Sequence, residues 1–103
     1  MIIINFKTYK EGTGKNAVKL GRIAARFKDV YVAVQAADIL SVSKVNKRVF
    51  AQHIDPIYPG RNTGFVLAED VKEDGAIGTL INHSEHRLYF GDIKLVVGRS
   101  KEL

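Results

Sequence analysis

The chain has 103 residues, no cysteine, 46% hydrophobic and 26% charged residues, and a net charge of +5. That length suits one small domain with a real core, and the lack of cysteine excludes a disulfide framework or a thiolate metal centre. No apolar run approaches the roughly 18 residues of a membrane span, and the short run after Met1 is too brief for a signal-peptide core. A soluble cytoplasmic protein with no membrane partner is therefore expected. The positive charge favours an anionic partner. The lysines, however, are scattered from Lys7 to Lys101, and the tightest basic cluster, Lys44 to Arg48, is interrupted by Val45 and Asn46. Without an aromatic-interleaved basic stripe or a known binding module, no nucleic-acid partner is expected.

In chain order, Ile2–Phe6 is an unbroken apolar run, which predicts a strand covered on both faces. A turn at Gly12-Thr13-Gly14 follows, with Thr13 as a candidate N-cap. Ala17, Leu20, Ile23, Ala24 and Phe27 then recur at helical spacing, with Lys19, Arg22 and Arg26 between them. Asp29 ends this helix and Val30–Val34 reads as the second strand. Ala37–Val45 is a short helix, and Arg48–Gln52 the third strand. His53–Phe65 is a long loop stiffened by Pro56, Pro59, Gly60 and Gly64. Leu67–Asp74 is a short helix closed by Gly75 at C′. Gly78–Asn82 is the fourth strand. Asp92 is placed to cap a last helix, with Ile93, Val96, Val97 and Leu103 along one side. Strand–helix alternation repeated four times predicts an α/β fold, a parallel sheet with right-handed crossovers in a single domain spanning residues 1–103.

In such folds ligands gather where strands end and helices begin. The polar residues at those ends are Asn5 and Lys7, then Gln35, then Gln52, His53 and Asp55, then Asn82, His83 and Glu85. Lys7 is a compact cation for a phosphate or a developing oxyanion. Asn5 adds an amide donor. His83 is able to polarise a carbonyl or shuttle a proton. If Ser84 opens a helical turn, its N-terminus disfavours the imidazolium form of His83. Glu85 is placed to pair with Lys7. A Walker loop is excluded at Gly12-x-Gly14-Lys15, because Tyr9 stands where the first glycine belongs and Asn16 where Ser or Thr is required. His83-Ser84-Glu85 has the H-x-E of zinc deaminases without their cysteines. His83 and His86 lack an evident third ligand, so no metal site is expected.

Four segments carry a specific resemblance. They are Asn5-Phe6-Lys7-Thr8-Tyr9, Phe50-Ala51-Gln52-His53-Ile54-Asp55-Pro56, Pro59-Gly60-Arg61-Asn62-Thr63-Gly64 and Gly78-Thr79-Leu80-Ile81-Asn82-His83-Ser84-Glu85-His86-Arg87. In this order they resemble triosephosphate isomerase in its compact archaeal form. Val34-Gln35 and Phe65 depart from the Pro-Gln and the polar residue usual at those places. The resemblance implies half of a TIM (β/α)8 barrel: four parallel strands with outer helices, where a complete barrel takes roughly 200 residues or more.

The resemblance also implies roles. Asn5 orients substrate, and Lys7 attracts its phosphate and stabilises the enediolate. His83 is the neutral electrophile, the role that this enzyme illustrates in general accounts of pKa tuning. Glu85, near Lys7, and Ser84 stand behind these groups. The Gln52 to Phe65 loop reaches into a partner subunit, with Gln52 and Thr63 at that interface. The substrate implied is a phosphorylated triose, with no cofactor and no metal. The family's general base, closing lid and phosphate-binding backbone belong to later units and are not expected among these residues. Isomerisation then requires a complementary C-terminal half-barrel. The alternative is a structural or engineered half-barrel that self-associates as a homo-oligomer and binds phosphate weakly.

Overall fold

A computed structural model describes residues 1–103. Four strands, β1 (Ile2–Asn5), β2 (Val30–Val34), β3 (Val49–Ala51) and β4 (Gly78–Thr79), lie parallel and in chain order in one sheet. Each is followed by a helix: α1 (Lys15–Ala24), α2 (Ile39–Ser43), α3 (Ala68–Glu73) and α4 (Phe90–Glu102). No helix is long and apolar enough to cross a membrane.

The core follows from the period of the strands. Val32 and Val34 of β2, with Val49 and Ala51 of β3, turn one face of the sheet towards the helices and are fully buried. Ala17, Ala24, Ile39, Val42, Val71 and Val96 meet them from the helices. Burying one valine of this kind contributes about 1.5–3 kcal/mol. The opposite face carries Tyr31 and Phe50, whose rings meet edge to face 5.7 Å apart. Gly21 lets α1 approach α2, since a Cβ there would lie 2.7 Å from Val42 Cγ1.

The basic cluster at 44–48 is structural. Arg48 donates from Nε to the Val30 carbonyl and from Nη2 to those of Ala25 and Phe27, which ties the end of α1 to the start of β2. Buried Asn46 donates to the Gly21 carbonyl and accepts from the Arg48 N–H. Lys47 donates to the Ser43 carbonyl.

Several expectations are corrected. β1 is not covered on both faces: Ile2, Ile3 and Ile4 are 60%, 38% and 44% exposed, because β1 is an edge paired only to β2. The stripe on α1 splits for the same reason. Ala17 and Ala24 are buried, while Leu20, Ile23 and Phe27 stay exposed beside Ile4 in an apolar groove. Thr13 does not cap α1; its hydroxyl donates to the Tyr9 carbonyl, and Gly14 is the cap residue. The Asp38 carboxylate, from the next unit, takes the Gly14 N–H instead. Asp92 lies inside α4, which starts after Tyr89 without a side-chain cap, so its charge acts only on the helix dipole. β4 leaves the ladder after the Leu80 N–H reaches the Ala51 carbonyl.

Candidate functional site

The site is built where β1 and β4 end. After Asn5 the chain buries Phe6 and turns sharply, with Lys7 at a φ of 55°. A lysine in the left-handed region costs on the order of 1–3 kcal/mol and persists only where its neighbours hold it. Two contacts do so. Asn5 Oδ1 accepts the Lys7 N–H at 2.9 Å. Gln52 Nε2 donates to the Lys7 carbonyl at 2.9 Å and lies 3.3 Å from both Asn5 Oδ1 and the Ala33 carbonyl. Lys7 Nζ then reaches Glu85 Oε2 at 2.8 Å.

At the end of β4 a second left-handed residue, Asn82 at φ 56°, redirects the chain. Its Oδ1 accepts the Leu88 N–H at 2.8 Å and closes the segment between them. Within it, the His86 N–H donates to the His83 carbonyl at 2.8 Å. Residues 84–86 form a turn and not the start of a helix, since α4 begins only at Phe90. The helix N-terminus considered for Ser84 is therefore absent. A different contact orients the ring: the Glu85 N–H donates to His83 Nδ1 at 3.1 Å. An accepting Nδ1 places the proton of a neutral imidazole on Nε2.

Asn5, Lys7, Gln52, His83 and Glu85 line one open cleft of about 430 Å³. The ammonium of Lys7, donating to Glu85, holds that carboxyl below the ordinary carboxylate range; slight desolvation opposes this, and the charges of Lys7 and His83 reinforce it. Ser84 is exposed on the same turn. Gln52, expected at a subunit interface, turns its amide inward beneath Lys7. Thr63 lies on an exposed loop. Gln35 points elsewhere, donating to Thr13 Oγ1 at 3.0 Å.

That loop is closed at its base and pinned along its length. The Asp55 N–H donates to the Val66 carbonyl at 2.8 Å, and the Val66 N–H donates to Asp55 Oδ2 at 2.6 Å. Burial pushes the Asp55 carboxyl up. The Val66 N–H and the His53 contact, with the charges of His53 and His86, outweigh it, and the net shift is downward. Arg99 of α4 is buried against the loop. It donates to the Ile57 carbonyl, stacks 3.9 Å from the Tyr58 ring centre, and pairs with Glu69 and Glu102. Desolvation opposes its charge, yet the two carboxylates raise its pKa. Sequence reading missed Arg99, the inward amide of Gln52 and a stacked pair of rings, His53 and His86. Only the Gln52-His53 adjacency at a strand end signalled any of them.

Comparison with known proteins agrees with this architecture. Residues 1–102 match the family model described as triosephosphate isomerase. The chain is 49% identical to the triosephosphate isomerase of Methanothermus fervidus, over 99% of this chain and 49% of that one. It is 43% identical to that of Methanocaldococcus jannaschii, over 100% of this chain and 50% of the relative. The crystal structure of triosephosphate isomerase from Bartonella henselae superposes with a TM-score of 0.82 at 24% identity, over 98% of this chain and 46% of that chain, a likeness of fold. The chain thus spans about half the length of the curated relatives it matches. Its four parallel strands with their helices correspond to half of a TIM barrel, and the chain belongs to the triosephosphate isomerase family.

Proposed function

We propose that these residues supply the electrophilic half of a triose-phosphate isomerase site, for interconversion of glyceraldehyde 3-phosphate and dihydroxyacetone phosphate in glycolysis and gluconeogenesis. One observation carries the reading: Lys7 and His83, 76 positions apart in sequence (83 − 7), line one cleft at the C-terminal end of the sheet, and local contacts orient both. Lys7 attracts the substrate phosphate and stabilises the oxyanion that develops. Asn5 has its oxygen on the Lys7 N–H, which leaves its Nδ2 protons to orient substrate. A neutral His83 presents Nε2–H to the carbonyl that is being enolised. Glu85 holds the ammonium until the substrate anion competes for it.

Proton abstraction next to the carbonyl also needs a base, which contributes about 10²–10⁴-fold. In this reading a complementary half-barrel supplies it, and the 103 residues alone are inactive. The test is to mix this chain with one carrying the last four βα units of a relative and to follow glyceraldehyde 3-phosphate turnover. Activity should appear on mixing and collapse with Lys7→Ala or His83→Ala. If both halves fold and associate yet stay inactive, the reading fails. The exposed edge of β1 favours a second reading, a self-associating half-barrel without catalysis. That reading is left standing by an inactive mixture in which this chain forms its own oligomer.

A further inference from the structure

We propose that His53 and His86 are positioning residues which hold the turn carrying His83 and Glu85, and that they do so only while no more than one of the two rings is an imidazolium. The inference deepens the site reading above and rests on it, but neither ring is given a role there. The two rings stack with centroids 3.7 Å apart and planes 10° from parallel. His53 follows β3, and its side chain is 10% exposed. Its Nε2 lies 2.9 Å from Asp55 Oδ1, while Asp55 Oδ2 accepts the Val66 N–H. His53 is thereby fixed to the base of the long loop.

His86 closes the catalytic turn. Its N–H donates to the His83 carbonyl, and the adjacent Glu85 N–H donates to His83 Nδ1. The His86 ring is carried by the same backbone that makes these two hydrogen bonds, one of which orients the His83 imidazole. β4 has already left the ladder at this point, so the stack ties the end of β3 to the turn alongside the contacts from Gln52 through Lys7 to Glu85.

The charges around the stack fix its proton capacity. Asp55 faces it from the loop, Lys7 from the end of β1, and His83 and Glu85 from the turn. Asp55 is the carboxylate that touches a ring of the pair, and it accommodates one imidazolium on His53. Glu85 is engaged by Lys7 at 2.8 Å and lies 3.5 Å from His83 Nδ1. A second imidazolium would face the first at stacking distance, with the one Asp55 carboxylate shared between the two. Like charges that close repel strongly. Placing a charge on both rings therefore loosens the stack and with it the turn.

The experiment is a pH titration from 8 to 5 of the ¹⁵N-labelled 103-residue chain, recording amide and imidazole spectra. In wild type the two rings should titrate interdependently, in two steps that belong to the pair. The amides of Ser84, Glu85 and Val66 should move with the second step. His53→Phe keeps a stacked ring that cannot become charged, so the part of the Ser84 and Glu85 acid limb that protonation of His83 at Nδ1 does not itself cause should disappear. His86→Ala should displace those amides at pH 8 in the direction in which acidified wild type moves, and His86→Phe should restore them. Superimposable Ser84 and Glu85 curves in wild type and His53→Phe would overturn the proposal, as would an unmoved Glu85 amide in His86→Ala. Should His53→Phe lose its dispersed spectrum, His86→Phe, at an exposed position, carries the same comparison. No step reads isomerisation, so failure here and failure of the isomerase reading are separate results.

Discussion

Lys7 shows how neighbours set the conformation of one residue. Its left-handed backbone is imposed by Asn5 on one side and Gln52 on the other, and its ammonium is parked on Glu85. A phosphate-bearing ligand must replace that carboxylate. Binding of 2-phosphoglycolate to these 103 residues should be weak, roughly millimolar or about 4 kcal/mol. In amide spectra, titration should shift Asn5, Lys7, His83 and Ser84 together. Lys7→Ala should weaken binding at least about tenfold. Gln52→Leu should weaken it too, although Gln52 need not touch the ligand, because the Lys7 carbonyl loses its partner. Equal shifts spread over all the lysines would show nonspecific attraction instead.

The elements are marked by glycine and by aspartate. α3 ends in a Schellman arrangement: the Ala76 N–H donates to the Val71 carbonyl and the Gly75 N–H to that of Lys72. Gly75 has a φ of 111°, and a Cβ there would lie 2.6 Å from Ser43 Cβ. Gly75→Ala should therefore destabilise the chain by about 1–3 kcal/mol in urea unfolding. The long loop has a separate weak point at Asp55. Its folded-state pKa is depressed, so its contribution is complete above the ordinary aspartate value of about 3.9 and is lost as pH falls through the lower folded value. Hydrogen exchange at Val66 should accelerate below about pH 4, and Asp55→Asn should abolish that acid limb.

At the scale of the whole molecule, an exposed edge of three isoleucines and two apolar grooves, one beside β1 and one beside β4, favour association. Light scattering at tens of micromolar should find a dimer or larger species, and a clean monomer would contradict this. Much of this architecture was legible locally. The repeated alternation of apolar runs, the helical spacing from Ala17 to Phe27 and the stop at Gly75 are short-range signals, and they located all four strands and helices. The Asn5-x-Lys7 and Asn82-His83-Ser84-Glu85 segments marked both ends of the cleft, because chemistry at a strand end depends on residues a few positions apart. What the sequence by itself could not decide were contacts between distant segments. Gly14 and not Thr13 stands at the α1 cap, with its N–H on Asp38, and Gln52 turned inward to reach Lys7. His53 met His86, and Arg99 crossed to Ile57, because the parallel crossovers bring these segments together in space. The exposure of β1 was likewise a tertiary outcome, since an apolar strand reads the same whether or not a neighbour covers its edge.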